Sequence, residues 1–137
     1  METVFDKILT GDIPAEIVYE DDDVLAFLDR TPVHKGHTLI IPKTKCTNIL
    51  DCPAEVVGKV YGAAQKMAQH MKKVLHADGV NIHGNNEPAA GQEVMYFHVH
   101  VIPRYAAKKP FASPTHEEYT EGEMEEYGQK LHLKSFI

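Results

Sequence analysis

Two histidines in the segment YFHVHVIPR, residues 96–104, stand at alternate positions of a predicted strand. Successive side chains of a strand point to opposite faces, so Tyr96, His98 and His100 share one face and apolar side chains occupy the other. Two imidazoles held about 6.6 Å apart on one strand are fixed without help from loops. Such a rigid pair is suited to binding or attacking a ligand.

Three kinds of function are compatible with this row of side chains. The histidines can be hydrogen-bonded groups that face solvent and do no chemistry. They can bind a metal ion, for which His37, His83 or a carboxylate must supply a third ligand. They can also act in nucleophilic catalysis, in which a neutral imidazole attacks phosphorus and water then cleaves the phosphohistidine-type intermediate. We favour the third interpretation, but the residues of the row alone leave all three open.

The composition predicts one soluble domain in a reducing compartment. The chain has 137 residues, of which 43% are hydrophobic and 25% charged, as in ordinary globular domains. Cys46 and Cys52 have no further cysteine to pair with, so a disulfide framework is not predicted. Acidic residues near the N-terminus and the lack of a long apolar run predict a cytoplasmic protein without membrane association. A nuclear location is left open.

The net charge of −6 argues against long nucleic acid as a partner, since a phosphate backbone attracts basic surfaces. A local phosphate site remains compatible with this charge. Among the nine histidines, His116 and His132 fall in a charged C-terminal segment, and we predict that they are solvated. The acidic segment after Pro114 is predicted to be helical, and it either packs on a dimer of the domain or forms a surface that binds a partner.

The hydrophobic pattern predicts an α+β domain with a mostly antiparallel five-stranded sheet. A short helix is predicted over about Thr3 to Leu9, and a long helix begins after Asp51, the predicted N-cap. The predicted strands cover residues 15–21, 23–29, 36–43, 79–84 and about 94–102. One long helix among so many strands does not fit a doubly wound parallel sheet.

The segment AGQEVMYFHVHVIPR, residues 90–104, resembles the signature of the histidine triad (HIT) superfamily, His-φ-His-φ-His-φ-φ with φ apolar. Residues 4–29 and the segment GHTLIIPK, residues 36–43, resemble the N-terminal half of the same family. The resemblance implies a HIT domain over residues 1–110, with residues 111–137 as an acidic helical extension of that domain. It also implies a homodimer in which two five-stranded sheets join into a ten-stranded sheet.

The resemblance implies roles for individual residues. His98 stands at the position of the family's nucleophile, His100 at that of a phosphate-contacting histidine, and His37 at that of a supporting histidine. The implied nucleotide-binding residues are Phe5, Ile8, Phe27, Leu28, Asp29, Asn85, Gly91, Gln92, Glu93 and Val94. The chemistry of two of them agrees, because the carboxylate of Asp29 can accept ribose hydroxyl hydrogen bonds and Gly91 permits close approach of a phosphate.

Two departures from the family pattern alter the expectation. Tyr96 stands where the first histidine of the triad belongs, and its hydroxyl is predicted to help orient His98 at some cost in rate. Zinc-carrying relatives have ligands at positions where this chain has Val4, Asp6 and Lys45. We therefore predict neither a metal nor another cofactor.

The function implied is that of a nucleotide-binding hydrolase. Its predicted substrates are nucleoside 5′-phosphoramidates, or related nucleotidyl conjugates, of a purine nucleoside. Two alternatives stay open: a dinucleoside polyphosphate hydrolase, and a nucleotide-binding interaction protein with weak or vestigial catalysis.

Overall fold

The computed structural model describes residues 1–108 and 116–134, which form one antiparallel sheet with helices. The elements in chain order are α1 Val4–Thr10, β1 Ile17–Glu20, β2 Val24–Leu28, β3 Thr38–Pro42, α2 Ala54–Val74, β4 Gly79–His83, β5 Val99–Arg104 and α3 Glu123–Leu131. The sheet order is β1-β2-β3-β5-β4, and every neighbouring pair is antiparallel. The predicted α+β class with five strands and one long helix is confirmed.

The two faces of the sheet have different partners. One face packs against α2, whose Val60, Ala64 and Met67 are fully buried among strand residues. The other face carries a smaller apolar cluster in which Phe5 of α1 packs on strand side chains. The alternation of β5 therefore puts Val99 against α2 and leaves His100 on the α1 side, as the pattern of residues 96–104 predicts.

Local hydrogen bonds explain where α1 begins and ends. The hydroxyl of Thr3 accepts from the backbone N–H of Asp6, and Asp6 accepts from the N–H of Thr3, which forms a capping box. Gly11 ends the helix with φ 84, in the left-handed region that favours glycine. The predicted helix is therefore correct within one residue at each end.

Two predicted boundaries are wrong. The fifth strand begins at Val99 and not near Val94, because the N–H of Phe97 bonds the carbonyl of Cys46 in a loop, at 2.8 Å, instead of joining the sheet. The N-cap of α2 is Pro53. Asp51 instead accepts backbone N–H groups of the preceding turn, at residues 47 and 48.

The acidic C-terminal segment packs on the same chain. Leu131 of α3 is fully buried in the core beneath α2, and the N–H of Leu133 donates to the carbonyl of Val18 at 2.8 Å. The predicted domain boundary at residue 110 lies outside the described residues. Among the described helices, none combines the length and the apolar character needed to cross a bilayer.

Candidate active site

A cleft of about 340 Å³ opens on the sheet face that carries His98 and His100. Residues from α1, from the β2–β3 loop (residues 29–37), from β4 and from the β4–β5 loop (residues 84–98) form its walls. The lining residues are Phe5, Asp29, Thr31, Val33, His37, Leu39, His83, Asn85, Gly91, Glu93, Val94, His98, His100, Ile102 and His116. Five imidazoles therefore meet in one cleft.

His98 is held as a neutral imidazole with a lone pair on Nε2. Its Nδ1 lies 2.6 Å from the backbone carbonyl of Tyr96, and because a carbonyl only accepts, Nδ1 carries the proton. The side chain is 8% exposed, and this burial lowers the pKa of His98 below its ordinary value. Nε2 is thus free to act as a nucleophile near neutral pH.

His100 has the opposite tautomer because a chain of hydrogen bonds determines it. The N–H of Val33 donates to Nδ1 of His37 at 3.1 Å, so the proton of His37 is on Nε2. That Nε2 lies 2.9 Å from Nδ1 of His100 and donates to it. The proton of His100 is consequently on its own Nε2, where it can be donated to a ligand oxygen.

Burial keeps both rings of this chain uncharged. Desolvation, together with repulsion from neighbouring histidines, lowers the pKa of His37 and the pKa of His100 to about 3. The ring of His83 stacks on His100, with centroids 4.7 Å apart and planes 15° from parallel. The orientation of His100 is thus restrained from two sides.

Together, His98 and His100 present a nucleophilic nitrogen and an N–H donor side by side, with ring centroids 5.0 Å apart. Attack on the phosphorus of a phosphate group uses both: the nucleophilic nitrogen forms the new bond, and the N–H donor stabilises the negatively charged oxygen. The geometry therefore fits nucleophilic substitution at phosphorus better than solvated histidines without a function.

Tyr96 is positioned differently from the sequence-based expectation. Its hydroxyl donates to the carbonyl of Pro42 at 2.6 Å, and the side chain is 1% exposed in the apolar cluster next to Phe5. The group that orients His98 is the backbone carbonyl of Tyr96. The prediction that the tyrosine hydroxyl orients the nucleophile is wrong, and a carbonyl is available at this position whatever the side chain.

The Tyr96→Phe variant is expected to lose about 1–2 kcal/mol of folding free energy, because it removes a buried hydrogen bond and leaves the Pro42 carbonyl without this donor. Urea unfolding measures the difference. Tyr61→Phe, on half-buried Tyr61 of α2, is the matched control. Equal stability of Tyr96→Phe and the wild type would contradict a stabilising role for this hydroxyl.

Gln92 supports the β4–β5 loop from behind the cleft. The side chain is 4% exposed; its Nε2 donates to the carbonyls of Thr47 and Val94, and its Oε1 accepts from Asn48 and from the N–H of Glu87. The resemblance implies that Gln92 binds the nucleotide. In the structure, its side chain instead holds the loop in place.

The other residues predicted in the β4–β5 loop reach the cleft. Asn85, Gly91, Glu93 and Val94 line it. Gly91 has φ 93, a left-handed conformation that a side chain would strain. This loop therefore forms part of the cleft wall next to His98.

The apolar residues predicted to hold a base divide into three groups. Phe5 lines the cleft, with its ring 5.0 Å from His98. Phe27 lies behind Phe5 at 5.5 Å, edge to face, and Ile8 packs on the same cluster. Leu28 lies on the opposite face of the sheet, in the core beneath α2, so its side chain packs in the protein and does not face the cleft.

Asp29 has one carboxylate oxygen engaged and one directed to the histidines. Its Oδ1 accepts from the N–H and the hydroxyl of Thr31, at 2.9 and 3.2 Å. Its Oδ2 lies 3.8 Å from Nε2 of His37. Asp29 thus offers an acceptor at the edge of the cleft.

Sequence reasoning missed several lining residues. The sequence suggests His83 only as a metal ligand, and in the structure its ring stacks on that of His100. His116 is exposed, in agreement with the prediction that it is solvated, and it also lines the cleft from the C-terminal segment. No periodicity or spacing in the sequence connects residue 116 with the strand histidines.

A metal ion fits this cluster poorly. Ligand atoms of Asp29, His37 and His100 lie within 4.8 Å of one another, but the two imidazole nitrogens face each other and share a proton. A metal there would have to displace that proton. The family resemblance places zinc ligands at the positions of Val4, Asp6 and Lys45. Here Lys45 pairs with Asp6 at 3.0 Å, and Val4 is exposed.

The fold and the paired imidazoles of one strand define a class of small α+β proteins built around a histidine cleft. Residues 10–107 match the HIT domain family. The Protein hit of Bacillus subtilis is 43% identical over 110 residues, which are 80% of this chain and 76% of that protein. The chain belongs to the HIT family.

Two further relatives extend the comparison. The crystal structure of a zinc-bound histidine triad family protein from Mycobacterium smegmatis superposes with a TM-score of 0.86 at 39% identity, covering 96% of this chain and 91% of the other. The adenylylsulfatase HINT3 of Arabidopsis thaliana is 37% identical over 103 residues, 75% of this chain and 52% of that protein.

Proposed function

We propose that this protein is a HIT-family hydrolase that cleaves nucleoside 5′-phosphoramidates, or related nucleotidyl conjugates, through a nucleotidyl intermediate on His98. The observation that carries the proposal is the pair of opposite tautomers. His98 has its lone pair on Nε2 and His100 has its proton on Nε2, so one attacks phosphorus while the other donates to a phosphate oxygen.

In the first step, Nε2 of His98 attacks the α-phosphorus in line with the bond to the leaving group. The new N–P bond forms as the bond from phosphorus to the leaving amine, or to a second phosphate, breaks. His100 and the β4–β5 loop donate hydrogen bonds to the non-bridging oxygens. In the second step, water attacks the same phosphorus as the N–P bond to His98 breaks, so the nucleoside monophosphate leaves, a proton of the water passes to solvent and His98 returns to the neutral state.

The nucleoside half of the substrate is assigned to the Phe5 and Asp29 end of the cleft. Phe5 lines the cleft as an aromatic contact for a purine base, and Oδ2 of Asp29, 3.8 Å from Nε2 of His37, can accept from ribose hydroxyls. The name of the Arabidopsis relative, adenylylsulfatase, supports cleavage next to the α-phosphorus of an adenylyl group. We propose an amine as the leaving group. The alternative substrate is a dinucleoside polyphosphate, from which a nucleoside phosphate would leave.

Glu93 lines the cleft and is exposed, and we infer that it protonates a leaving amine. The Glu93→Gln variant, which keeps the size but cannot donate a carboxyl proton, is expected to lower kcat for phosphoramidates by about 10- to 100-fold and to change the pH profile. Steady-state rates from pH 5 to 9 measure this. An unchanged profile would assign the proton to solvent.

A purified sample incubated with an adenosine 5′-phosphoramidate that carries a fluorogenic amine tests the function. Turnover with release of AMP is expected for the wild type. Tyr96→His restores the family residue without altering the carbonyl at position 96, so we expect its rate to stay within about 10-fold of the wild type. If both proteins bind AMP but neither releases the amine, the result would favour the alternative function, a nucleotide-binding interaction protein. The only observation behind that alternative is the tyrosine at position 96.

We also infer a homodimer in which the sheets of two protomers join. β4 is an edge strand of the described sheet, and Ile82 on it is 39% exposed. An uncovered edge with an exposed apolar side chain is a template for a further strand. The molar mass in solution, measured by light scattering, distinguishes a dimer from a monomer.

A further inference from the structure

We propose that His116, from the C-terminal segment, binds the ribose hydroxyls of the substrate together with Asp29. This proposal rests on the proposed function, because it assumes a nucleotide in the cleft. His116 lies in the C-terminal segment, beyond residues 10–107, which match the HIT domain family.

The anchoring of Glu117 determines where His116 enters the cleft. The N–H of Glu117 donates to the carbonyl of Pro32 at 2.9 Å. Its carboxylate accepts from the N–H of Lys35 at 2.9 Å and from Nζ of Lys108 at 2.8 Å. These bonds fix the backbone next to His116 against the β2–β3 loop, which carries Asp29.

A second contact holds the same segment in place. The N–H of Gly36 donates to the hydroxyl of Tyr119 at 2.8 Å, and burial raises the pKa of Tyr119 to about 12. The hydroxyl therefore stays protonated, and the segment from Glu117 to Tyr119 is attached to the β2–β3 loop at both ends.

His116 and its neighbours have the chemistry that a ribose requires. Pro32, to which the segment is bonded, lies between Thr31 and Val33, and both of these line the cleft together with Asp29. The carboxylate of Asp29 can only accept hydrogen bonds, whereas the imidazole of His116 can donate and accept. A vicinal diol, with two donors and two acceptors, pairs with one group of each kind.

The side chain is also accessible to a ligand. His116 is exposed while lining the cleft, in contrast to His37 and His98, which are buried. An exposed imidazole on an anchored backbone can turn toward a ligand at little cost, since only its own rotamers are ordered.

Calorimetric titration with AMP and with 2′,3′-dideoxy-AMP tests the assignment. His116→Ala is expected to weaken AMP binding about 5- to 10-fold, the value of one hydrogen bond, and to change binding of the dideoxy nucleotide less than about 2-fold. His116→Gln keeps a donor and an acceptor and is expected to restore most of the AMP affinity. His132→Ala, at an exposed position of the same segment, is the control.

Any other outcome overturns either the ribose contact of His116 alone or the proposed function as well. Equal weakening of both nucleotides in His116→Ala would mean a structural role and would overturn the ribose contact, as would no weakening of either. Turnover of the phosphoramidate by the wild type in that case would leave the proposed function intact. If the wild type neither binds AMP nor turns over, both proposals are overturned.

Discussion

The His98→Ala variant is expected to lose turnover of nucleotidyl substrates by roughly 10⁴-fold or more, because it removes the nitrogen on which we propose that the covalent intermediate forms. Nδ1 of His98 donates its proton to the backbone carbonyl of Tyr96, which leaves Nε2 as a base and nucleophile. The rate of fluorogenic amine release measures the loss, and AMP affinity is expected to stay within a few-fold.

The matched control is His132→Ala, which removes an exposed imidazole and is expected to keep the wild-type rate. Retained AMP binding by His98→Ala would show that the variant is folded and that its defect is chemical. A His98→Ala protein with more than a tenth of the wild-type rate would exclude His98 as the nucleophile.

The free energy of unfolding is expected to fall by several kcal/mol as the pH drops from 7 to 5. Burial lowers the pKa of His37 and of His100 to about 3, whereas both titrate near 6.5 in the unfolded chain. The unfolded state therefore binds more protons below pH 6.5, so stability is fully present above that pH and decreases as the pH falls toward 3. At pH 5 the loss is about 2 kcal/mol for each ring.

Urea unfolding at intervals between pH 5 and 8 measures this slope. His37→Asn removes one buried imidazole and also the neighbour that disfavours protonation of His100, so its slope between pH 6.5 and 5 is expected to be smaller than that of the wild type. His98, whose pKa burial also lowers, keeps part of the slope in this variant. His132→Ala is expected to keep the wild-type slope. Parallel slopes for wild type and His37→Asn would show that His37 is not the group being titrated.

The pH range over which stability is lost distinguishes the effect of these histidines from that of the carboxylates. Hydrogen bonds to backbone N–H groups hold the pKa of Asp51 below its usual range, and the bond to Lys35 does the same for Glu123. Their contributions are lost only as the pH falls below about 4. A decrease that begins near pH 6.5 thus reports on imidazoles.

Much of the fold followed from patterns in the sequence. The alternation in residues 96–104 predicted which face of β5 carries His98 and His100, because side chains of a strand obey a period of two. The long helix and the succession of strands along the chain followed from the spacing of apolar residues and from turn residues. These features depend on local chain geometry, and local geometry is what a sequence pattern reports.

The details of the site depended on contacts between distant segments. The proton on His100 is determined by Val33 through His37, more than sixty positions earlier in the chain. The carbonyl that orients His98 depends on the backbone leaving the sheet before Val99, where the N–H of Phe97 bonds a remote loop. Neither has a periodic signal, so sequence reasoning assigned the orienting role to the wrong atom of Tyr96.

His116 illustrates the same limit. A single histidine in an acidic segment is compatible with many solvated positions, and its type alone carries little information. The bonds of Glu117 and Tyr119 to the β2–β3 loop bring residue 116 to the cleft. Such a placement becomes visible once the tertiary contacts of the C-terminal segment are known.

The most direct test of the account is detection of a nucleotidyl group on His98 itself. A substrate with a rapidly expelled amine is mixed with excess enzyme, quenched within milliseconds at alkaline pH to protect the N–P bond, and the protein is analysed by mass spectrometry with peptide mapping. We predict a transient mass increase of one nucleotidyl group, located on the peptide that contains His98 and absent from His98→Ala. Product formed at full rate with no adduct at any time, or an adduct on another residue, would contradict covalent catalysis by His98.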